Sequence, residues 1–337
     1  MISINKCPSS LEEGFISYSH NSLKQLFNGL RVSPYLPFDI DKFRSETEIN
    51  DSIHRISVSG VQEKFPAIIK DNEIKIADKN ERSTHILKPV PWDQALSNRK
   101  LIPANEHLTM QIASQVYGIQ TAANGLCFTP KGQPVYITRR FDILLDGTKL
   151  LMEDFASVIG KNEQIGGIYF KYNGNYGDIA RAIKNNVSVW MVDMERFFEL
   201  IVFNYIYANG DAHLKNFSLI QTISLDFRLA PAYDLINTSL HINGEDFGLD
   251  GGLSPDIEKS DIMDKTGHPC RLDFENFGIE IGLVKKRMKK ILDKYTTIPQ
   301  KTLYLIGQSF LPEKFKRSYM RIVNERISRF NRLGNTS

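Results

Sequence analysis

The spacing of apolar residues changes character part-way along this 337-residue chain, and that change constrains the fold more than any other feature. In the first half, short β-rich runs recur at 65–70, 74–78, 85–89, 126–129 and 135–138, punctuated by Asn, Asp, Gly and Pro. One helix interrupts them. The spacing predicts it over 106–117, closed by Gly118 where a glycine commonly ends a helix. Further on, apolar residues fall at helical spacing over 176–184, 194–208, 283–295 and 318–333, around a strand-and-loop interlude at 217–253. Strands followed by helices argue for an α+β fold with two lobes, a β-rich one over 1–152 and a mainly helical one over 153–337. A cleft between lobes is a natural ligand site.

Composition narrows the function classes. Hydrophobic content of 42% and charged content of 24% are those of a globular chain with a sizeable core. Cys7, Cys127 and Cys270 share no CxxC spacing, which fits a reducing cytosol and gives no metal framework. Residues 1–14 include Glu12 and Glu13 and lack the apolar region of a signal peptide. The most apolar stretch, 197–208, is too short to span a bilayer and contains Glu199 and Asn204, so a soluble cytoplasmic protein without a membrane partner is expected. A net charge of +3 is too small to argue for nucleic acid. The basic clusters Lys285, Lys286, Arg287, Lys289, Lys290 and Arg317, Arg321, Arg326, Arg329, Arg332 read as solvated helix faces.

The sharpest local signal is Asn209-Gly210-Asp211-Ala212-His213-Leu214-Lys215-Asn216, directly after the near-uniformly apolar helix. A buried helix is a rigid platform for a loop that presents catalytic groups. Asp211 and Asn216 have the Asp-x4-Asn spacing of a kinase catalytic loop, where the carboxylate orients an attacking hydroxyl and the amide holds a metal ion. The plainer reading is a polar turn ending the helix, with Asp211 as a cap and His213 satisfied in the core. Asp234 follows after two strand-like segments, and a hairpin of that length returns it beside Asn216. There it can bind Mg²⁺, which takes oxygen ligands and few carboxylates. Upstream, Ser57-Val58-Ser59-Gly60 lets backbone amides approach an anion, although the same residues suit an ordinary β-turn. Lys88 on a strand and Glu106 on the helix are the kinase pair that holds α- and β-phosphates, or else two unrelated surface charges. Glu153-Asp154-Phe155 falls where the halves meet, and its backbone can meet an adenine edge.

Together the strings Ser57 to Lys64, Ile86 to Lys88, Asn105-Glu106, Arg139 to Asp142, Glu153-Asp154, Asn209 to Asn216 and Pro231 to Asp234 resemble the HipA-like serine/threonine kinases, in order, over residues 50–330. The Asp-x-His-x-x-Asn core is also similar to that of phosphoinositide kinases. The resemblance implies an ATP- and Mg²⁺-dependent kinase with Asp211 as catalytic carboxylate, His213 bracing the loop and Lys215 neutralising the transferring phosphoryl group. It implies Asn216 and Asp234 as Mg²⁺ ligands, Lys88 on the nucleotide phosphates with Glu106 as its ion-pair partner, and Glu153 and Phe155 presenting backbone groups to adenine. Ser57 and Ser59 match a segment that autophosphorylates in this family, where a phosphate adds about −1.5 to −2 charge and competes with nucleotide. Only 56 residues precede that segment, too few for the small β-rich domain of full-length members, so the chain is similar to the shorter HipT-type branch. In that branch a separate small protein can supply the domain.

The resemblance further implies the toxin of a toxin–antitoxin pair, acting on a translation component such as an aminoacyl-tRNA synthetase. Its partner would be a small helix-turn-helix antitoxin of the HipB type, through which alone it would meet DNA. Two other readings are a lipid or small-molecule kinase and a catalytically silent co-repressor or binding module. The first predicts an amphipathic basic surface. The second predicts a lost catalytic residue, whereas Lys88, Glu106, Asp211, Asn216 and Asp234 are all present.

Overall fold

The computed structural model describes residues 3–46, 62–93 and 96–334. In the first half α1 (His20–Phe27) and a 3-10 segment (Ile40–Glu46) precede β1 (Phe65–Lys70), β2 (Glu73–Ile76) and β3 (His85–Lys88). Then come α2 (Ile102–Gln115), β4 (Asn124–Phe128) and β5 (Pro134–Arg139). The five strands form one antiparallel sheet in the order β2-β1-β3-β5-β4. Period-two alternation sorts its side chains between two faces. Cys127, Val135, Ile137 and Leu87 pack under Leu26, Phe27, Val32 and Leu36 of the N-terminal segment. Leu126, Phe128 and Tyr136 point the other way, into the main core with Leu108 and Ile112 of α2.

The second half opens with β6 (Met152–Asp154), the single turns α3 (Phe155–Val158) and α4 (Glu163–Gly166), and the helices α5 (Tyr176–Asn186) and α6 (Trp190–Ile206). The hairpin β7 (Ser218–Gln221) and β8 (Phe227–Leu229) follows, then α7 (Asp261–Thr266), α8 (Arg271–Glu280), α9 (Lys285–Asp293), α10 (Gln300–Gln308) and α11 (Glu313–Phe330). β6 pairs with β7 and β7 with β8, all antiparallel. Helix α6 is apolar nearly all round, and Phe197, Phe198, Ile201, Val202, Phe203, Tyr205 and Ile206 are all buried. An aromatic cluster locks α2 to the helical half. Tyr117 stacks on Tyr295 at 4.5 Å, and its hydroxyl lies 3.0 Å from that of Tyr207.

The architecture is the expected α+β, two-lobed and kinase-like, with local differences. Helix α2 starts at Ile102 rather than 106, because Pro103 is pre-set for a first helical turn. Glu106 therefore sits within the helix and is buried. Gly118 does close it, at φ +69°, and the Ile119 amide donates to Ala113 O. β6 is too short and too charged to announce itself. Its extended backbone is fixed by β7, not by its own propensity. Among the described residues no helix is long and apolar enough to cross a membrane.

Candidate active site

Helix α6 ends in a turn with Ala208 at φ +54°, and the loop that follows is held on every side. The Asn209 side chain donates to Asn204 Oδ1 at 3.0 Å, and the Gly210 amide donates to Thr238 Oγ1 at 3.0 Å. Tyr172 donates its hydroxyl to Asp211 Oδ1 at 3.2 Å, and Tyr176 donates to Ala212 O at 3.0 Å. Asn216 Oδ1 accepts the His213 amide at 3.3 Å. The His213 ring stands edge-on to Tyr172 at 5.2 Å. Burial outweighs the attraction of Asp211 and pushes the imidazole down to about 4, so at neutral pH it is an uncharged brace.

The hairpin expected before Asp234 is present as β7 and β8, and the Tyr233 hydroxyl donates to Lys215 O at 2.9 Å. Ser218 Oγ, 2.6 Å from the same hydroxyl, fixes its orientation. Asp234 itself adopts φ +56°, an uncommon conformation for a residue other than glycine.

Lys88 and Glu106 are not surface charges. Both are buried, with Lys88 Nζ 2.6 Å from Glu106 Oε1, and Lys88 also donates to Asp234 Oδ1. Tyr136 lies beneath, its ring centroid 5.3 Å from the ammonium. Burial disfavours the Lys88 charge, but Asp234 and Glu106 together outweigh it and raise the pKa. Burial pushes Glu106 up to about 7 despite Lys88. Asp234, although burial opposes its charge, is driven well below the usual carboxylate range by Lys64 and Lys88. Lys64, for which no role is expected from the sequence, places its Nζ 3.0 Å from Asp234 Oδ2. Its place just after the string Ser57-Val58-Ser59-Gly60 was the available signal.

The segment expected to meet adenine is part of the β6–β7 ladder. The Phe155 amide donates to Phe217 O at 3.0 Å and its carbonyl accepts from Ile159, so its backbone is fully committed. The Gln221 amide donates to Leu151 O, and Glu153 lies opposite Leu219 midway between these two bonds. Antiparallel alternation therefore turns the Glu153 backbone into the ladder as well. The groups left on the open edge of β6 are those of Met152 and Asp154. The Asp154 side chain caps α3 at the Ser157 amide and pairs with Lys215 Nζ at 2.7 Å. Lys215 is thus anchored to β6. Ser57, Val58, Ser59 and Gly60 lie outside the described residues.

Asn216 Oδ1 and the Asp234 carboxylate are oxygen donors of the kind Mg²⁺ accepts, with a single carboxylate between them. Lys64 approaches Asp234 from the solvent side at 45% exposure, whereas Lys88 is 3% exposed.

Residues 56–302 match the model of the HipA-like C-terminal domain. The chain belongs to this family. A Haemophilus influenzae protein named "Putative kinase" is 26% identical over 349 residues, 97% of this chain and 96% of its own. The "Serine/threonine-protein kinase toxin HipA" of Shewanella oneidensis is 25% identical over 254 residues, 68% of this chain and 55% of that toxin, so the chain spans about half of its length. A solved complex of Shewanella oneidensis HipA with HipB and operator DNA superposes with a TM-score of 0.66 at 20% identity, over 88% of this chain and 71% of that one. At such identity the likeness is one of fold, and it is the HipA kinase fold that these lobes build. Kinase relatives imply ATP as the nucleotide.

Proposed function

We propose that this chain transfers the γ-phosphoryl group of ATP to a serine or threonine hydroxyl of a protein, in the cleft between a lobe of residues 1–152 and one of 153–337. The supporting observation is buried Lys88, clasped by Glu106 and Asp234 beside the loop that carries Asp211. Bound ATP with Mg²⁺ supplies the transferable group and spreads its charge. Lys88 holds the α- and β-phosphates, and Asn216 and Asp234 hold the ion. The open edge of β6 at Met152 and Asp154 receives adenine. Asp211, oriented by Tyr172, accepts the proton of the incoming hydroxyl. Catalysis is then chiefly positioning and electrostatics.

In the cell this activity is that of a HipT-type toxin, with a translation component such as an aminoacyl-tRNA synthetase as target. Its partner is a small helix-turn-helix antitoxin. Contact with DNA runs through the antitoxin. Membership of the family supports this reading, as does the Shewanella complex, in which HipA stands with HipB and operator DNA. Ser57 and Ser59 are the proposed autophosphorylation switch.

Intact mass spectrometry of unphosphorylated wild type and Asp211→Ala, each with ATP and Mg²⁺, tests the proposal. One or two added phosphates in the wild type alone, mapped to Ser57 or Ser59, support it. No gain in either protein moves the assignment to a small-molecule kinase or a silent binding module.

A further inference from the structure

The strained Asp234 is held by the segment that follows it, and that segment is gripped by one side chain. Asn105 Oδ1 accepts the Asn237 amide at 3.3 Å, while Asn105 Nδ2 donates to Asn237 O at 2.8 Å. The second Nδ2 hydrogen points at His241 Nε2, also at 2.8 Å. The other ring nitrogen of His241 lies 3.1 Å from Ser97 O, which accepts only. The proton of His241 therefore sits on Nδ1, and Nε2 is free to accept from Asn105. Asn105, Asn237 and His241 are all buried.

The same segment reaches two more elements. Asn98 Nδ2 donates to Leu240 O at 3.1 Å. Thr238 accepts the Gly210 amide and donates to Ala208 O, both at 3.0 Å. Residues 237–241 thus join α2, the stretch before it and the loop bearing Asp211. Asn105 is also the residue immediately before Glu106.

We propose that Asn105 is a positioning residue that fixes the separation of Glu106 and Asp234 around Lys88, by clamping the backbone that follows Asp234 onto α2. The clamp rests on the kinase reading for its catalytic meaning, though not for its geometry. It requires one acceptor and two donors in a plane, which only an amide of this length supplies. Aspartate in its place sets oxygen against two acceptors, Asn237 O and His241 Nε2. A hydroxyl has one hydrogen, so it can donate to Asn237 O or to His241 Nε2, but not to both.

The test compares wild type, Asn105→Asp and Asn105→Ser as full chains. Two readouts are taken: hydrogen–deuterium exchange across 235–242, and steady-state phosphoryl transfer with ATP and Mg²⁺. The clamp predicts that Asn105→Asp exchanges about tenfold faster across 235–242 and 208–212. It predicts kcat lower by about 100-fold per folded molecule, as displacing a catalytic group costs, with KM for ATP raised. Asn105→Ser should fall between. A purely structural role would lower the folded fraction and leave the KM of the remainder unchanged. Either folded variant with exchange, kcat and KM within about threefold of wild type overturns the proposal, and Asn105→Ser decides it if Asn105→Asp does not fold. A wild type that transfers no phosphate would sink the kinase reading instead, and the exchange data would still decide the clamp.

Discussion

Lys88 shows how much depends on a single buried charge. It makes ion pairs with two carboxylates and is 3% exposed, so removing it leaves buried Glu106 without a cation and Asp234 with Lys64 alone. Lys88→Met is expected to cost about 3–5 kcal/mol in urea denaturation. It should also abolish ATP binding by calorimetry. Glu106→Gln keeps an acceptor for Lys88 and removes a carboxylate that burial already pushes up to about 7, so it should cost far less stability. The roles proposed for Lys88, Glu106, Asp211, Asn216 and Asp234 were legible because each sits in a short string of fixed spacing. The contact between Lys64 and Asp234 was not, since it joins residues 170 apart and depends on how the first half folds over the second. The ladder engaged by the Glu153 and Phe155 backbones was not legible either. Which backbone groups are spent on a ladder depends on a register that three residues cannot declare.

At the scale of elements, the loop bearing Asp211 crosses a second loop at 245–248, and glycine makes the crossing possible. A Cβ on Gly248 would collide with the backbone of Ala212, and one on Gly210 with Glu245 O. Gly248→Ala is expected to displace the catalytic loop and lower phosphoryl transfer about 100-fold, with about 1–3 kcal/mol of lost stability in a thermal melt. The second loop is in turn tied to α11. Asp246 accepts from Arg326, lies 2.7 Å from His268 Nδ1, and is mostly buried, with Arg326 packed over the Tyr205 ring. Asp246→Ala leaves the Arg326 charge buried alone and should cost about 3–5 kcal/mol by chemical denaturation. Alternation revealed strands β1 to β5, and helical spacing revealed α2, α5, α6, α9 and α11 within a few residues. Helices α7, α8 and α10 and the N-terminal cover were missed. Their apolar residues pack against elements distant in sequence, so local periodicity is faint.

For the whole molecule, titration gives a global signature. Burial pushes His85, His107, His213 and His241 each down to about 4. Between pH 6.5 and 4 the unfolded chain takes up four protons that the folded state refuses, so stability falls as pH falls. Glu106 acts oppositely, because its folded form binds a proton from about 7 downward while the unfolded form waits until 4.5. The net slope is at most about 4 kcal/mol per pH unit, and the melting temperature should drop steadily on acidification from pH 6.5. A flat or rising melting temperature in that window would contradict the buried neutral histidines.

The central claim is that the cleft binds ATP with Mg²⁺ and that Asp211 then directs phosphoryl transfer. The most direct measurement pairs calorimetric ATP–Mg²⁺ affinity with single-turnover transfer of the γ-phosphate, in wild type and in Asp211→Asn. Affinities within a few-fold of each other are expected, because the proposed role of Asp211 is towards the hydroxyl and not the nucleotide. Transfer is expected in the wild type alone. Equal transfer rates in the two proteins, or a wild type that fails to bind ATP, would contradict these roles.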